Sequence, residues 1–167
     1  MRRRTLLAAA AGLAGPALAM DAPTGPVVLN IAGRITLANG GTPGARLAQF
    51  DMGMLERLPT TSFSTRTPWY AQARRFSGPL LRDVLAAVGA QGPMVRALAL
   101  NDYRVDIPVD DARRWDVIVA RLIDERPMTV RDKGPLFIMY PFDRHAELRT
   151  PLYYSRCAWQ LRALEVL

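Results

Sequence analysis

The chain has 167 residues, half of them hydrophobic, which is enough for one domain with a sizeable core and too few for two ordinary domains. Its formal charge of +7 includes Arg2, Arg3 and Arg4, and the remaining excess is scattered, with Lys133 the only lysine. A nucleic-acid reader, which clusters Lys and Arg among aromatics on one face, is therefore excluded.

Met1 to Leu7 reads Met-Arg-Arg-Arg-Thr-Leu-Leu, followed by an Ala/Leu/Gly run and then Ala17-Leu18-Ala19. A charged start, a short apolar middle and small residues at a cut site make a secretory signal, expected to be cleaved after Ala19. The apolar run is far shorter than the ~20 residues a membrane span needs. The paired arginines fit a twin-arginine signal, and an ordinary Sec signal is the alternative. The mature protein is expected in the periplasm and not integral to the membrane.

Residues 20–26 form a Pro/Gly-containing leader, expected to be mobile. The domain is then expected over 27–167. Val27 to Ile31 reads as a strand, Ala32-Gly33 as a turn and Arg34 to Leu37 as a second strand. Asn39 to Gly44 is a loop. Asp51 is placed to cap a short helix running to Arg57, ended by Pro59. Thr60 to Thr65, rich in Thr, Ser and Phe, is a strand. Arg74 and Arg75 read as a solvated strand edge.

The plainest helical period follows Pro79, which suits a first helical turn. Leu80, Leu81, Val84, Leu85 and Val88 recur on one face, and Gly89 marks the stop. Val95 to Leu100 and Tyr103 to Ile107 form a hairpin around Asn101-Asp102. Asp110-Asp111 with Arg113-Arg114 reads as an exposed short helix with paired charges. Trp115 to Leu122 fits a short helix or a strand. Leu136 to Tyr140 is a buried strand ended by Pro141. Trp159 to Val166 alternates as a half-exposed strand, with Trp159, Leu161, Ala163 and Val166 inward. The sum is a mixed, mostly β chain of the α+β class with a few short helices.

Chemistry-bearing residues are few. Cys157 is the only cysteine and His145 the only histidine. That excludes an internal disulfide, a cysteine or histidine-cluster zinc site and an HExxH metalloprotease. No GxSxG nucleophile elbow is present, so a serine hydrolase of that kind is excluded as well.

The order of the pieces resembles the oxidoreductase molybdopterin-binding domain of sulfite oxidase and its exported bacterial relatives. The residues that carry the likeness are Leu29-Asn30-Ile31-Ala32-Gly33-Arg34-Ile35, Leu58-Pro59, Phe76-Ser77-Gly78-Pro79-Leu80-Leu81, Asp102 to Pro108, Val117-Ile118-Val119-Ala120, Pro135 to Pro141, and Trp159 to Val166. The resemblance implies a sulfite-oxidase-like fold over about Val27 to Val166, with a helix at Val117 to Ala120. It also admits molybdopterin as a cofactor.

Three departures argue against that cofactor. Enzymes of the family bind molybdenum through a cysteine thiolate, a soft ligand suited to the metal. The corresponding stretch, Ser62 to Thr67, contains none. Phe137 stands where the family has an arginine. The loop Phe142 to Ala158 has no Gly or Lys to hold the cofactor's phosphate, though it carries Arg144, Arg149 and Arg156. No cofactor and no metal are therefore expected, and Cys157 reads as a core residue.

In the resembled fold, the segment after the ligand strand faces the pocket. This makes Arg66 a candidate anion holder and Trp69 a candidate stacking platform. Asn101 and Tyr103 in the hairpin, and Arg144 and His145 in the late loop, complete the candidate ligand-binding set. The expected function is a non-catalytic ligand-binding or accessory module for a small anionic or aromatic ligand, or for an exported or membrane signalling partner. The alternative is a molybdopterin-dependent oxidoreductase with atypical metal ligation.

Overall fold

The computed structural model of the chain describes residues 20–42 and 44–167. The expected signal segment, 1–19, lies outside the described residues. The fold is mixed α+β and mostly β, with short helices throughout.

Strand β1 (Val27–Gly33) pairs antiparallel with β3 (Ala45–Asp51), which also carries the short β2 (Gly40–Thr42). On its other side β1 runs parallel to the C-terminal strand β12 (Leu161–Val166). That strand pairs with β6 (Met94–Ala99), and β6 with β7 (Arg104–Pro108). The six-stranded order is β2-β3-β1-β12-β6-β7.

A second sheet is built on the long hairpin of β4 (Thr60–Thr67) and β5 (Tyr70–Pro79), extended by β9 (Leu122–Ile123) and β10 (Arg126–Pro127). Between the sheets lies a small pair, β8 (Ile118–Ala120) with β11 (Phe137–Met139). Bridges from Leu80 to Ile118 and from Phe137 to Trp159 stitch this pair to its neighbours. All six of its residues are buried, which explains an uninterrupted apolar run in each strand. The expected Val117 to Ala120 helix is thus a strand, because both of its faces are covered.

Among the described residues, four α-helices punctuate the strands: α1 (Met52–Glu56), α2 (Leu81–Ala87), α3 (Val109–Arg114) and α4 (Pro151–Arg156). Asp51 caps α1 as expected, its Oδ1 accepting the Met54 N–H at 2.8 Å. Leu81, Val84 and Leu85 of α2, and Val88 just after it, are buried, as their period implies. The helix starts later than expected, however. Pro79 is the last residue of β5, held extended by its pairing with Thr60.

Several expectations are corrected. Arg34 to Leu37 is a loop, not a strand. Gly33 turns the chain at a φ of 89°, and a Cβ there would lie 2.2 Å from the Val166 carbonyl oxygen. Thr36 and Leu37 then donate their N–H groups to the Val88 carbonyl. The leader is tied down: Thr24 and Gly25 donate backbone N–H bonds of 2.7 and 2.8 Å to Asp51 Oδ2. The Arg74 and Arg75 side chains are solvated as expected, but they lie on an interior strand, β5, between β4 and β9, not at an edge. The α3 charges are not all solvated, since Asp111 is buried. In β12 a register shift between Leu161 and Ala163 inverts the alternation, so Leu161, Leu164 and Val166 point inward.

Candidate functional site

Trp69 follows β4 in the turn that leads into β5. It meets residues from the far end of the chain: its ring is 5.5 Å from that of Trp159 and nearly perpendicular to it. It is also 6.2 Å from Tyr154 of α4, again edge-on, and 5.6 Å from Phe137 of β11. Aromatic rings favour this edge-to-face geometry because a positive ring edge meets a negative face.

Against this cluster opens a cavity of about 300 Å³, walled by Trp69, Asn101, Tyr103, Tyr154, Cys157 and Trp159. Its lining is overwhelmingly apolar. The β6–β7 turn supplies Asn101 and Tyr103. The Tyr103 hydroxyl donates to the Ser155 carbonyl at 2.7 Å, clasping that turn to α4 across the cavity. Asn101 Oδ1 accepts the Tyr103 N–H at 3.2 Å, which orders the rim.

A second cavity of about 300 Å³ shares the wall residue Tyr154 and carries charged side chains in its lining. Arg66, Thr67, Asp143 and Arg149 line it. Asp143 is the organiser: one carboxylate oxygen accepts the Arg66 N–H at 3.0 Å and the other the Arg149 guanidinium at 3.3 Å. Arg149 also donates to the Phe142 carbonyl at 2.9 Å. Among the described residues the Arg66 guanidinium makes no ion pair, so its charge is available to a ligand.

The six sequence candidates are therefore divided. Trp69, Asn101 and Tyr103 share the apolar cavity, and Arg66 lines its polar neighbour. Arg144 and His145 are elsewhere: Arg144 pairs with Asp116 at 3.6 Å and lies over the Phe63 ring, while His145 packs on Trp115 at 4.7 Å. Sequence reasoning placed no ligand role on Tyr154 or Trp159, and named Arg149 only among the late-loop arginines that could hold a phosphate. The available signals were the Tyr153-Tyr154 pair within the late loop and a tryptophan at the head of the last strand.

The donor set does not fit a molybdenum centre of the resembled kind. Strand β4 offers only hydroxyls, and the Thr65 hydroxyl is buried and accepts the Asp143 N–H at 3.0 Å. The one thiol, Cys157, is buried after α4 and donates to the Tyr153 carbonyl at 3.6 Å. Burial pushes that thiol's pKa up, away from the thiolate a metal needs. Phe137 is fully buried within the aromatic cluster, 6.1 Å from Phe76 and 6.2 Å from Trp159, where an arginine would have no partner.

No protein-family model matches the chain, and no curated protein matches it in sequence. No described helix is long and apolar enough to cross a membrane.

Proposed function

We propose that the chain is an exported ligand-binding module with a sulfite-oxidase-like fold, and that its ligand is a small planar organic anion. The ordered motifs from Leu29 to Val166 support the family reading. The Arg-rich start with Ala17-Leu18-Ala19 supports export.

One observation carries the ligand class: an aromatic cavity and an arginine-lined cavity meet at Tyr154. A ring lies in the cavity against the wall that Trp69, Trp159 and Tyr154 form together, where apolar burial and ring contacts hold it. Its carboxylate or equivalent reaches Arg66, whose fork matches a planar oxyanion. The module acts by holding this ligand, without redox chemistry at a thiolate-bound metal.

The test is calorimetric titration with 2-naphthoate. Saturable binding is expected, weakened about tenfold by Arg66→Gln, which removes one charge contact. Trp69→Leu is expected to weaken it at least as much. Equal affinity in both variants, or no saturable binding at millimolar 2-naphthoate, would overturn the proposal.

A further inference from the structure

A third cavity, of about 550 Å³, opens between β5, the β9–β10 hairpin and the turn at 129–133. It is distinct in chemistry from the two above. Four cationic side chains, Arg74, Arg126, Arg131 and Lys133, line it against two carboxylates, Asp124 and Asp132.

Both carboxylates are already engaged. Asp124 pairs with Arg74 and accepts the Arg75 N–H at 2.9 Å. Asp132 accepts the Thr129 hydroxyl at 2.8 Å. Among the described residues, Arg126 and Arg131 make neither an ion pair nor a side-chain hydrogen bond. The Lys133 ammonium rests 5.1 Å from the Trp159 ring and 5.8 Å from the Tyr70 ring, with no carboxylate against it.

The turn that presents Lys133 is built, not slack. Thr129 caps the single helical turn at Val130–Asp132. Lys133 stands at a φ of 71°, a conformation uncommon for any residue with a Cβ. Its carbonyl accepts the Gln160 N–H at 2.9 Å, and the Gly134 N–H bonds to the Thr129 carbonyl at 2.8 Å. A strained, hydrogen-bonded turn holding a lysine beside two unpaired arginines marks a place where the fold keeps positive charge together despite its self-repulsion.

We infer that this cavity binds a small phosphorylated molecule. A phosphate monoester carries about two negative charges and three acceptor oxygens, which suits two arginine forks and an ammonium lining one cavity. The volume exceeds what a bare phosphate fills. Tyr70, Ile123 and Pro127 supply an apolar wall for the organic part of the ester. Arg126 and Arg131 take no part in the aromatic cavity, although Lys133 rests on the Trp159 ring that walls it.

The experiment is a titration of the labelled mature chain with inorganic phosphate and with glycerol 3-phosphate, followed by amide NMR. Saturable shifts are expected in residues 124–133, with the ester binding more tightly. The double variant Arg126→Gln/Arg131→Gln is expected to keep the wild-type melting temperature and lose the shifts by about tenfold or more in affinity. In that variant 2-naphthoate binding is expected to be unchanged, so failure here and failure of the aromatic site are separable. Vesicles of phosphatidylglycerol form a further arm. Binding to them without response to the soluble phosphates would overturn the proposal, as would shifts confined to the tryptophan indoles or no saturation at millimolar ester.

Discussion

The Tyr140 hydroxyl donates a 2.8 Å hydrogen bond to Asp111 Oδ2 inside the core, joining the end of β11 to α3. The same oxygen accepts from Arg156 of α4 at 2.7 Å. Burial, with the Asp111 charge beside it, pushes the tyrosine pKa far above its usual value, so Tyr140 is a permanent donor. Three elements distant in sequence are thus tied to one carboxylate. Asp111→Ala is expected to cost about 3–5 kcal/mol by urea unfolding, since it strands a buried guanidinium. Tyr140→Phe removes one donor and is expected to cost about 1–2 kcal/mol. Losses in the reverse order would mean that the tyrosine hydroxyl, not the pairing of Arg156 with the carboxylate, dominates this site.

Asp51 ties the leader to α1, and its carboxylate pKa is lowered from 3.8 to about 2. The Met54 N–H is the main cause, followed by the Gly25 N–H and the Thr24 N–H and hydroxyl, against opposing desolvation. A depressed folded-state value means that this stabilisation is present above the unfolded value and is lost as pH falls towards the folded one. The urea midpoint is therefore expected to fall between about pH 4 and pH 2, and Asp51→Asn to flatten that limb. An unchanged acid limb in the variant would assign the loss to other carboxylates.

Leu85 faces the core from α2 and is 4% exposed. Leu85→Ala is expected to lower stability by about 2–5 kcal/mol in chemical denaturation. The half-buried neighbour Leu80 is expected to cost less on the same change. A loss at Leu85 under about half a kcal/mol would belong to a surface position and contradict the packing.

Export predicts a processed chain. Protein recovered from the periplasm is expected to begin at Met20, checked by N-terminal sequencing. A soluble cytoplasmic form retaining Met1 as its only form would refute cleavage after Ala19.

Local signals carried much of this fold in the sequence. The period after Pro79, the Asn101-Asp102 turn, the Asp51 cap and the apolar run at Leu136 to Tyr140 each depend on neighbours a few residues away, and each element is present. Trp69, Asn101, Tyr103 and Arg66 were legible as site candidates, the first and last from the family resemblance and the others from their turn. What only tertiary structure decided are the pairings across long stretches of chain. Strand β1 takes β3 and β12 as partners, the β12 bulge reverses which side chains point inward, and Asp111 is drawn into the core by Tyr140 and Arg156. The cavity exists because Tyr154 and Trp159 return to Trp69, while Arg144 and His145 follow Asp116 and Trp115 away from it. Such contacts depend on sheet order and register, which a residue's own neighbours in sequence do not encode.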